Sequence, residues 1–101
     1  MIKNLTPTII QDYKTNRVYM LGFSTKGSLR KTKFTGFVHF WSRSRKKIWM
    51  KGEKSGNSLQ IKEIYFDCDK DTLLFKVKLS AKYVCHKNRI SCFFNLYDDI
   101  K

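Results

Sequence analysis

Leu73-Leu74-Phe75-Lys76-Val77-Lys78-Leu79-Ser80 is the stretch that decides the fold class of this chain. Leu73, Phe75, Val77 and Leu79 alternate with Leu74, Lys76, Lys78 and Ser80, the two-residue period of a half-buried strand. That strand is expected over Thr72–Cys85. A second long strand precedes it over Ser58–Cys68, with a turn at Asp69–Thr72 between them. In the earlier one, Leu59, Ile61 and Ile64-Tyr65-Phe66 keep the period only in part. Upstream, Thr8-Ile9-Ile10-Gln11 and Val18-Tyr19-Met20-Leu21-Gly22-Phe23 flank turn chemistry at Asp12–Arg17 and predict a hairpin. Ser24 or Thr25 reads as an N-cap, Thr25–Phe34 as the only helix, and Gly36 as its C-cap. Gly27 weakens that helix. Phe37–Ser42 and Ile48–Lys51 read as aromatic strands around a basic turn, Arg43–Lys47. Lys51–Ser58 is a polar loop, and Cys92–Tyr97 closes the fold. The expected class is mainly β, α+β with one short helix, on a small antiparallel sheet.

At 101 residues, with 42% apolar and 15% aromatic content, the chain is read as one domain, 1–101, with a modest core. The longest uncharged run is Phe34–Ser42, far below the roughly 18–20 residues that span a bilayer. Met1-Ile2-Lys3-Asn4 lacks the apolar stretch of a signal peptide. Three cysteines cannot all pair within the chain, so they are read as reduced, cytoplasmic thiols. Against eight Asp and Glu stand 21 Lys and Arg, a formal net charge of +13. Such an excess suits a general preference for lysine, a nucleic-acid surface, or a pocket for a multiply phosphorylated small molecule.

Three of the eight acids fall within five positions. Asp67-Cys68-Asp69-Lys70-Asp71 packs three carboxylates around one thiol, a repulsive arrangement that calls for a cation. On a strand, Asp67 and Asp69 share one face and Cys68 takes the other. Oxygen ligands suit Mg²⁺ or Ca²⁺ and thiolate suits Zn²⁺. A calcium loop starting at Asp67 fails, because Thr72 and Lys78 stand where it needs Gly and Glu. Cys85 and Cys92 bracket a second candidate. With Asn88-Arg89 as a two-residue hairpin turn, residue 85 faces residue 92 and the thiols converge. Cys68 as a third ligand leaves a tetrahedral zinc one open position, as in catalytic sites. The alternatives are three buried cysteines packing as small hydrophobes, or a four-ligand zinc that adds His86. His86, pointing away from its neighbour Cys85, is better placed to carry a proton. His39 reads as a packed core histidine.

Ser42-Arg43-Ser44-Arg45 alternates hydroxyls and guanidiniums, which suits phosphate oxygens. Trp49, Lys51, Gly52, Glu53, Ser55, Gly56 and Asn57 add an aromatic face, a cation, a carboxylate and glycines that let backbone N–H groups approach an anion. An ordinary charged surface hairpin has much the same composition.

Taken in order, these segments resemble the phosphoribosyl-AMP cyclohydrolase family of histidine biosynthesis. The likeness begins near Pro7 and Gln11-Asp12, and passes through Ser42-Arg43-Ser44-Arg45 and Trp49-x-Lys51-Gly52-Glu53-x-Ser55-Gly56-Asn57. It continues with Asp67-Cys68-Asp69-x-Asp71 and Leu73-Leu74, and ends at Cys85-His86 and Ser91-Cys92-Phe93. The resemblance implies Zn²⁺ on Cys68, Cys85 and Cys92, Mg²⁺ on Asp67, Asp69 and Asp71, and an intertwined homodimer whose zinc ligands come from both subunits. It implies hydrolytic opening of the adenine ring of phosphoribosyl-AMP at N1–C6 by zinc-activated water, with His86 shuttling the proton. Magnesium and Ser42–Arg45 would then hold the two phosphate-bearing arms. Only Asn95–Lys101 follow Phe94, so the chain is expected to lack the pyrophosphohydrolase domain of some relatives. It departs from the family at Lys87-Asn88, where relatives often have Thr-Gly, and in a basic helix carrying Lys26, Arg30, Lys31 and Lys33 in place of acids. The rival is a basic, zinc-stabilised β module binding nucleic acid. It accounts for the charge but gives no reason for three clustered aspartates.

Overall fold

β1 (Thr6–Asp12), β2 (Val18–Ser24), α1 (Lys26–Thr35), β3 (His39–Ser42), β4 (Lys47–Met50), β5 (Leu59–Phe66) and β6 (Leu73–Leu79) follow one another in a computed structural model that describes residues 5–97. The export-signal reading of Met1–Asn4, and residues 98–101, lie outside the described residues. Strands β2, β1, β6 and β5 form a four-stranded sheet in that order, and β3 with β4 forms a separate hairpin. The expected mainly β architecture is present, with most pairings antiparallel. One is not: β1 and β6 run parallel, with Thr8 opposite Leu73 and Asp12 opposite Val77. A parallel neighbour needs a long crossover, and here β2, α1, β3, β4 and β5 lie between the two strands.

The alternation in β6 works as read. Leu73, Phe75 and Val77 are fully buried and join Ile10, Val38, Phe40, Leu59 and Val84 in the core. The broken period in β5 has a local cause. The register slips between Ile61, opposite Val77, and Glu63, opposite Lys76. A β-bulge therefore leaves Lys62 without a partner across the ladder. The extra residue turns Ile61 and Ile64 to the same side, where both pack on the core.

The helix forms where its caps predict. Thr25 accepts a hydrogen bond from the Ser28 N–H while the Ser28 hydroxyl accepts one from the Thr25 N–H, a reciprocal capping box. Gly36 ends the helix at φ 81°. Its buried face is polar and small: the Thr32 hydroxyl donates to the Ser28 carbonyl and accepts from the His39 N–H. Gly27 costs helix propensity, yet a Cβ there would sit 3.2 Å from Ile48, so its absence lets the helix lie close to β4. His39 is buried, with Nδ1 2.8 Å from the Phe37 carbonyl, as read. No described helix is long and apolar enough to cross a membrane.

Three expectations are corrected. The last strand stops at Leu79, not Cys85, because the Ser80 N–H and hydroxyl both turn onto the Ser58 carbonyl just before β5 begins. Cys92–Tyr97 is not a strand. Its entry is held instead by the Ser91 hydroxyl, which donates to the Val18 and Tyr19 carbonyls on the outer edge of β2, a side-chain substitute for a ladder bond. Cys85 faces Arg89, not Cys92, in the pairing that follows β6.

The β1–β2 turn hangs on Asp12, whose carboxylate accepts from the Lys14 and Thr15 N–H groups and from the Tyr19 hydroxyl. Burial acts to raise the Asp12 pKa, but those hydrogen bonds outweigh it and hold the carboxyl below its usual value. Burial, then the bond to Asp12, pushes Tyr19 up to about 12. A raised phenol pKa contributes stability below the ordinary value near 10 that disappears as pH rises through 12. In denaturant melts between those pH values, Tyr19→Phe should lose less stability than the unmodified chain. Parallel loss in both proteins would refute the coupling.

Candidate metal centre and phosphate pocket

The turn between β5 and β6 is built by one of its own acids. Asp67 Oδ1 accepts from the Asp71 and Thr72 N–H groups at 3.0 and 3.1 Å, and Lys70 adopts φ 60° to close the loop. The result gathers Asp67, Asp69 and Asp71, with one oxygen of each within 4.8 Å of the others. The first hydrogen-bonds to the third and is held low by the donors around it despite desolvation. Asp71 is raised by its hydrogen bonds to Asp67 and Asp69 and by their charges. Three partly exposed oxygens that compete for protons are a hard, oxygen-only donor set, the kind Mg²⁺ takes with water completing its shell. Cys68 sits within this turn but is exposed and stands apart from the trio.

The two other thiols meet by a route different from the one expected. A tight turn over Cys85–Asn88 brings the Asn88 N–H onto the Cys85 carbonyl at 3.0 Å, and the Val84 and Cys85 N–H groups both reach the Arg89 carbonyl. Asn88 carries φ 59°, the left-handed conformation that Asn tolerates in place of Gly. Cys92 arrives separately, its N–H donating to the Tyr19 carbonyl at 2.7 Å. The two thiols lie near enough to shift one another's titration. A backbone N–H from Lys87 chiefly lowers the Cys85 pKa against its desolvation, with Cys92 and the Lys51 and Lys87 ammoniums adding to the effect. Burial and the Cys85 contact raise Cys92. Cys85 is thus the more acidic thiol of the two. Soft donors with one already inclined to ionise fit part of a zinc set. Among the described residues, no third Cys, His, Asp or Glu joins them closely enough to complete it. His86 follows Cys85 directly and is exposed at the turn.

Ser42, Arg43, Ser44, Arg45 and Trp49 come together in a pocket of about 700 Å³ that also takes its walls from Met20–Phe23, Phe40 and Trp41. The basic turn is shaped by Ser42, whose hydroxyl accepts from the Arg45 N–H at 3.2 Å, and by Lys46 at φ 53°. Arg43 lies 4.2 Å over the Phe23 ring and Arg45 5.8 Å from the Trp49 ring. Stacking occupies the guanidinium faces and leaves their N–H edges for an anion. Lys51, Gly52, Glu53 and Ser55 line an adjoining pocket of about 190 Å³ with Arg45 and Trp49. Glu53 accepts from the Met50 N–H at 2.8 Å. Gly52, at φ 83°, has the Asn57 backbone where a Cβ would stand, so the loop cannot close with any other residue there. Gly56 and Asn57 lie outside both pocket linings and serve that closure, the Gly56 N–H bonding the Gly52 carbonyl.

Phe23 was missed from the sequence as a site residue. It reads there only as a strand residue, and the sole hint is an aromatic side chain placed just before a helix cap. Gly22 was missed likewise: a Cβ at that position would lie 2.6 Å from the buried Phe40 ring, so this wall of the pocket depends on glycine.

Over residues 20–94 the chain matches the phosphoribosyl-AMP cyclohydrolase family. It is 49% identical over 94 residues to the phosphoribosyl-AMP cyclohydrolase of Solibacter usitatus, spanning 93% of this chain and 75% of that protein. It is 48% identical over 92 residues to that of Archaeoglobus fulgidus, spanning 91% and 84%. With the histidine biosynthesis bifunctional protein of Caldanaerobacter subterraneus it shares 46% identity over 97 residues, 96% of this chain but 47% of the other.

The left-handed turn that presents Cys85 makes its own prediction. Asn88→Gly should keep the unfolding free energy, whereas Asn88→Val should lose about 1–2 kcal/mol in denaturant melts. Equal stability of the two variants would mean that the turn conformation is not enforced.

Proposed function

The chain belongs to the phosphoribosyl-AMP cyclohydrolase family of histidine biosynthesis, and from that premise we propose that it opens the adenine ring of phosphoribosyl-AMP by hydrolysis at N1–C6. Water adds its oxygen to C6, the C6–N1 bond breaks, and N1 takes the proton. C6 becomes a carboxamide carbon, giving the phosphoribosylformimino-aminoimidazole-carboxamide ribotide. The observation that carries this reading is the thiol pair, Cys85 with Cys92, next to the Lys51 ammonium. A Zn²⁺ on these sulfurs would polarise water and bring its pKa down to about 7.

The remaining roles fall to the chain's own groups. His86, exposed beside Cys85, holds the proton taken from water and returns it to N1. Arg43 and Arg45, with Ser42 and Ser44, hold a phosphate in the aromatic-walled pocket. Trp49, Lys51, Gly52, Glu53, Ser55, Gly56 and Asn57 shape its neighbour and the loop that closes it. Asp67, Asp69 and Asp71 hold Mg²⁺. Three free cysteines suit a reducing compartment, the cytoplasm.

Cys68 would complete the zinc set from a second copy of the chain. Supporting this, exposed apolar side chains flank both thiol segments: Tyr65 and Phe66 precede Cys68, and Phe93, Leu96 and Tyr97 follow Cys92. Apolar surface concentrated on the two segments that must meet is what a two-fold interface would cover.

Ring opening of phosphoribosyl-AMP, followed with and without a chelator, tests the activity. Turnover should require about one Zn²⁺ per chain, and Cys92→Ser should lose both metal and activity. Full zinc occupancy in that variant would sink the assignment. Subunit mixing tests the shared site. Cys68→Ser and Cys92→Ser homodimers should each be inactive, because every site lacks a ligand. In a mixed dimer both lesions fall in one site and the other is whole. Random exchange should therefore restore roughly a quarter of full activity. Demonstrated exchange with no recovery would place the zinc site within one chain.

A further inference from the structure

A second cationic groove lies beside the turn that carries Cys85. About 340 Å³ in volume, it is walled by Arg17, Asn88, Arg89, Phe93 and Phe94 among others, so it borders the segment proposed to meet a second copy, and no carboxylate is among its described lining residues. The Arg89 guanidinium lies 4.7 Å over the Phe94 ring. Among the described residues it has no acidic partner, and its N–H edges are available to an anionic acceptor. The position of Arg89 is fixed through its backbone: its carbonyl receives the Cys85 N–H at 3.0 Å.

The order of parts along β2 is informative. Arg17 immediately precedes the strand, and Ser91 is tied to Val18 and Tyr19. Cys92 docks on Tyr19, and Met20–Phe23 wall the larger pocket. From Arg17 to Phe23 is six residues, about 20 Å of extended chain. A cationic groove, a thiol pair and a second cationic pocket thus succeed one another along one strand. Phosphoribosyl-AMP has the same order of chemistry: phosphate, ribose, adenine, ribose, phosphate.

Resting on the ring-opening reading, we propose that the Arg17–Arg89 groove binds the 5-phosphate of the ribosyl group on N1, while the larger Arg43–Arg45 pocket takes the phosphate of the AMP half. The N1 ribose is attached next to the bond that breaks, and this groove is built on the same turn as Cys85. Both volumes admit a ribose phosphate. The phosphate would accept from the Arg89 edge in the plane left open by Phe94 stacking. This assigns the second arm to protein cations rather than to the aspartate-held magnesium.

The test uses the zinc-loaded protein with D-ribose 5-phosphate and AMP as probes, measured by direct binding titration beside steady-state ring opening. Arg89→Gln and Arg17→Gln should each weaken ribose 5-phosphate at least about tenfold, the cost of a lost charge-assisted hydrogen bond. AMP affinity and zinc content should be kept, and KM should rise with little change in kcat. Arg45→Gln should show the converse selectivity. Should Arg89→Gln not fold, Arg17→Gln, whose side chain makes no hydrogen bond among the described residues, decides. Unchanged ribose 5-phosphate binding in the folded variants, or its loss on magnesium removal alone, overturns the inference even where the wild type turns over. Absence of turnover by the wild type with Arg89-dependent binding instead overturns the ring-opening reading and leaves the groove as a sugar-phosphate site.

Discussion

The outer edge of β2 is where this molecule is organised. An edge strand offers a row of carbonyls that nothing in its own sheet satisfies. Here Ser91 covers two of them with one hydroxyl, and the Cys92 N–H takes the Tyr19 carbonyl as well. Three contacts thereby fasten a segment that has no regular structure of its own. They also bring Cys92 to Cys85 from a different direction than a hairpin would. The same strand contributes Met20–Phe23 to the pocket wall, so the thiols and the pocket arginines are referred to one rigid element. Sites held by strands keep their geometry better than sites held by loops alone.

The charge distribution follows from the same economy. A chain with net charge +13 gains nothing by burying acids, and most of its arginines near the pockets rest on aromatic rings instead. Arg43 lies on Phe23, Arg45 beside Trp49 and Arg89 on Phe94. An aromatic face steadies a guanidinium without neutralising it, which preserves its attraction for phosphate. A carboxylate partner would have quenched it. Three of the chain's eight acids are gathered at the β5–β6 turn, where mutual repulsion makes a cation welcome.

Glycine and small residues set the close approaches on which the site depends. Gly22 yields its side-chain volume to Phe40, and Gly27 lets the helix reach Ile48. Gly52 folds the loop after β4 back on the Asn57 backbone. Ser28 and Thr32 give the helix a buried face that bonds rather than merely packs. The hydroxyls of Thr8 and Ser24 meet at 2.7 Å under β1 and β2 for the same reason: a buried polar atom is tolerated once it has a partner.

The sequence by itself determined whatever depends on local periodicity and on side-chain chemistry. The alternation at Leu73–Leu79, the helix caps at Thr25 and Gly36, the hard donors at Asp67, Asp69 and Asp71, and the left-handed capacity of Asn88 are properties of a few consecutive residues. So is the arginine–serine turn that reappears as one side of the pocket. Tertiary structure alone decided the parallel register of β1 on β6, because strand direction across a long crossover leaves no mark in either strand. It decided that the run from Cys92 to Tyr97 would close the fold without regular structure, since a distant edge takes the hydrogen bonds of its entry. It decided that Cys85 meets Cys92 through docking on Tyr19 and not across a hairpin, and that Phe23 and Phe94 would lie beneath arginines. These are contacts between residues far apart in the chain, and their energies come from surfaces that exist only once the sheet has formed.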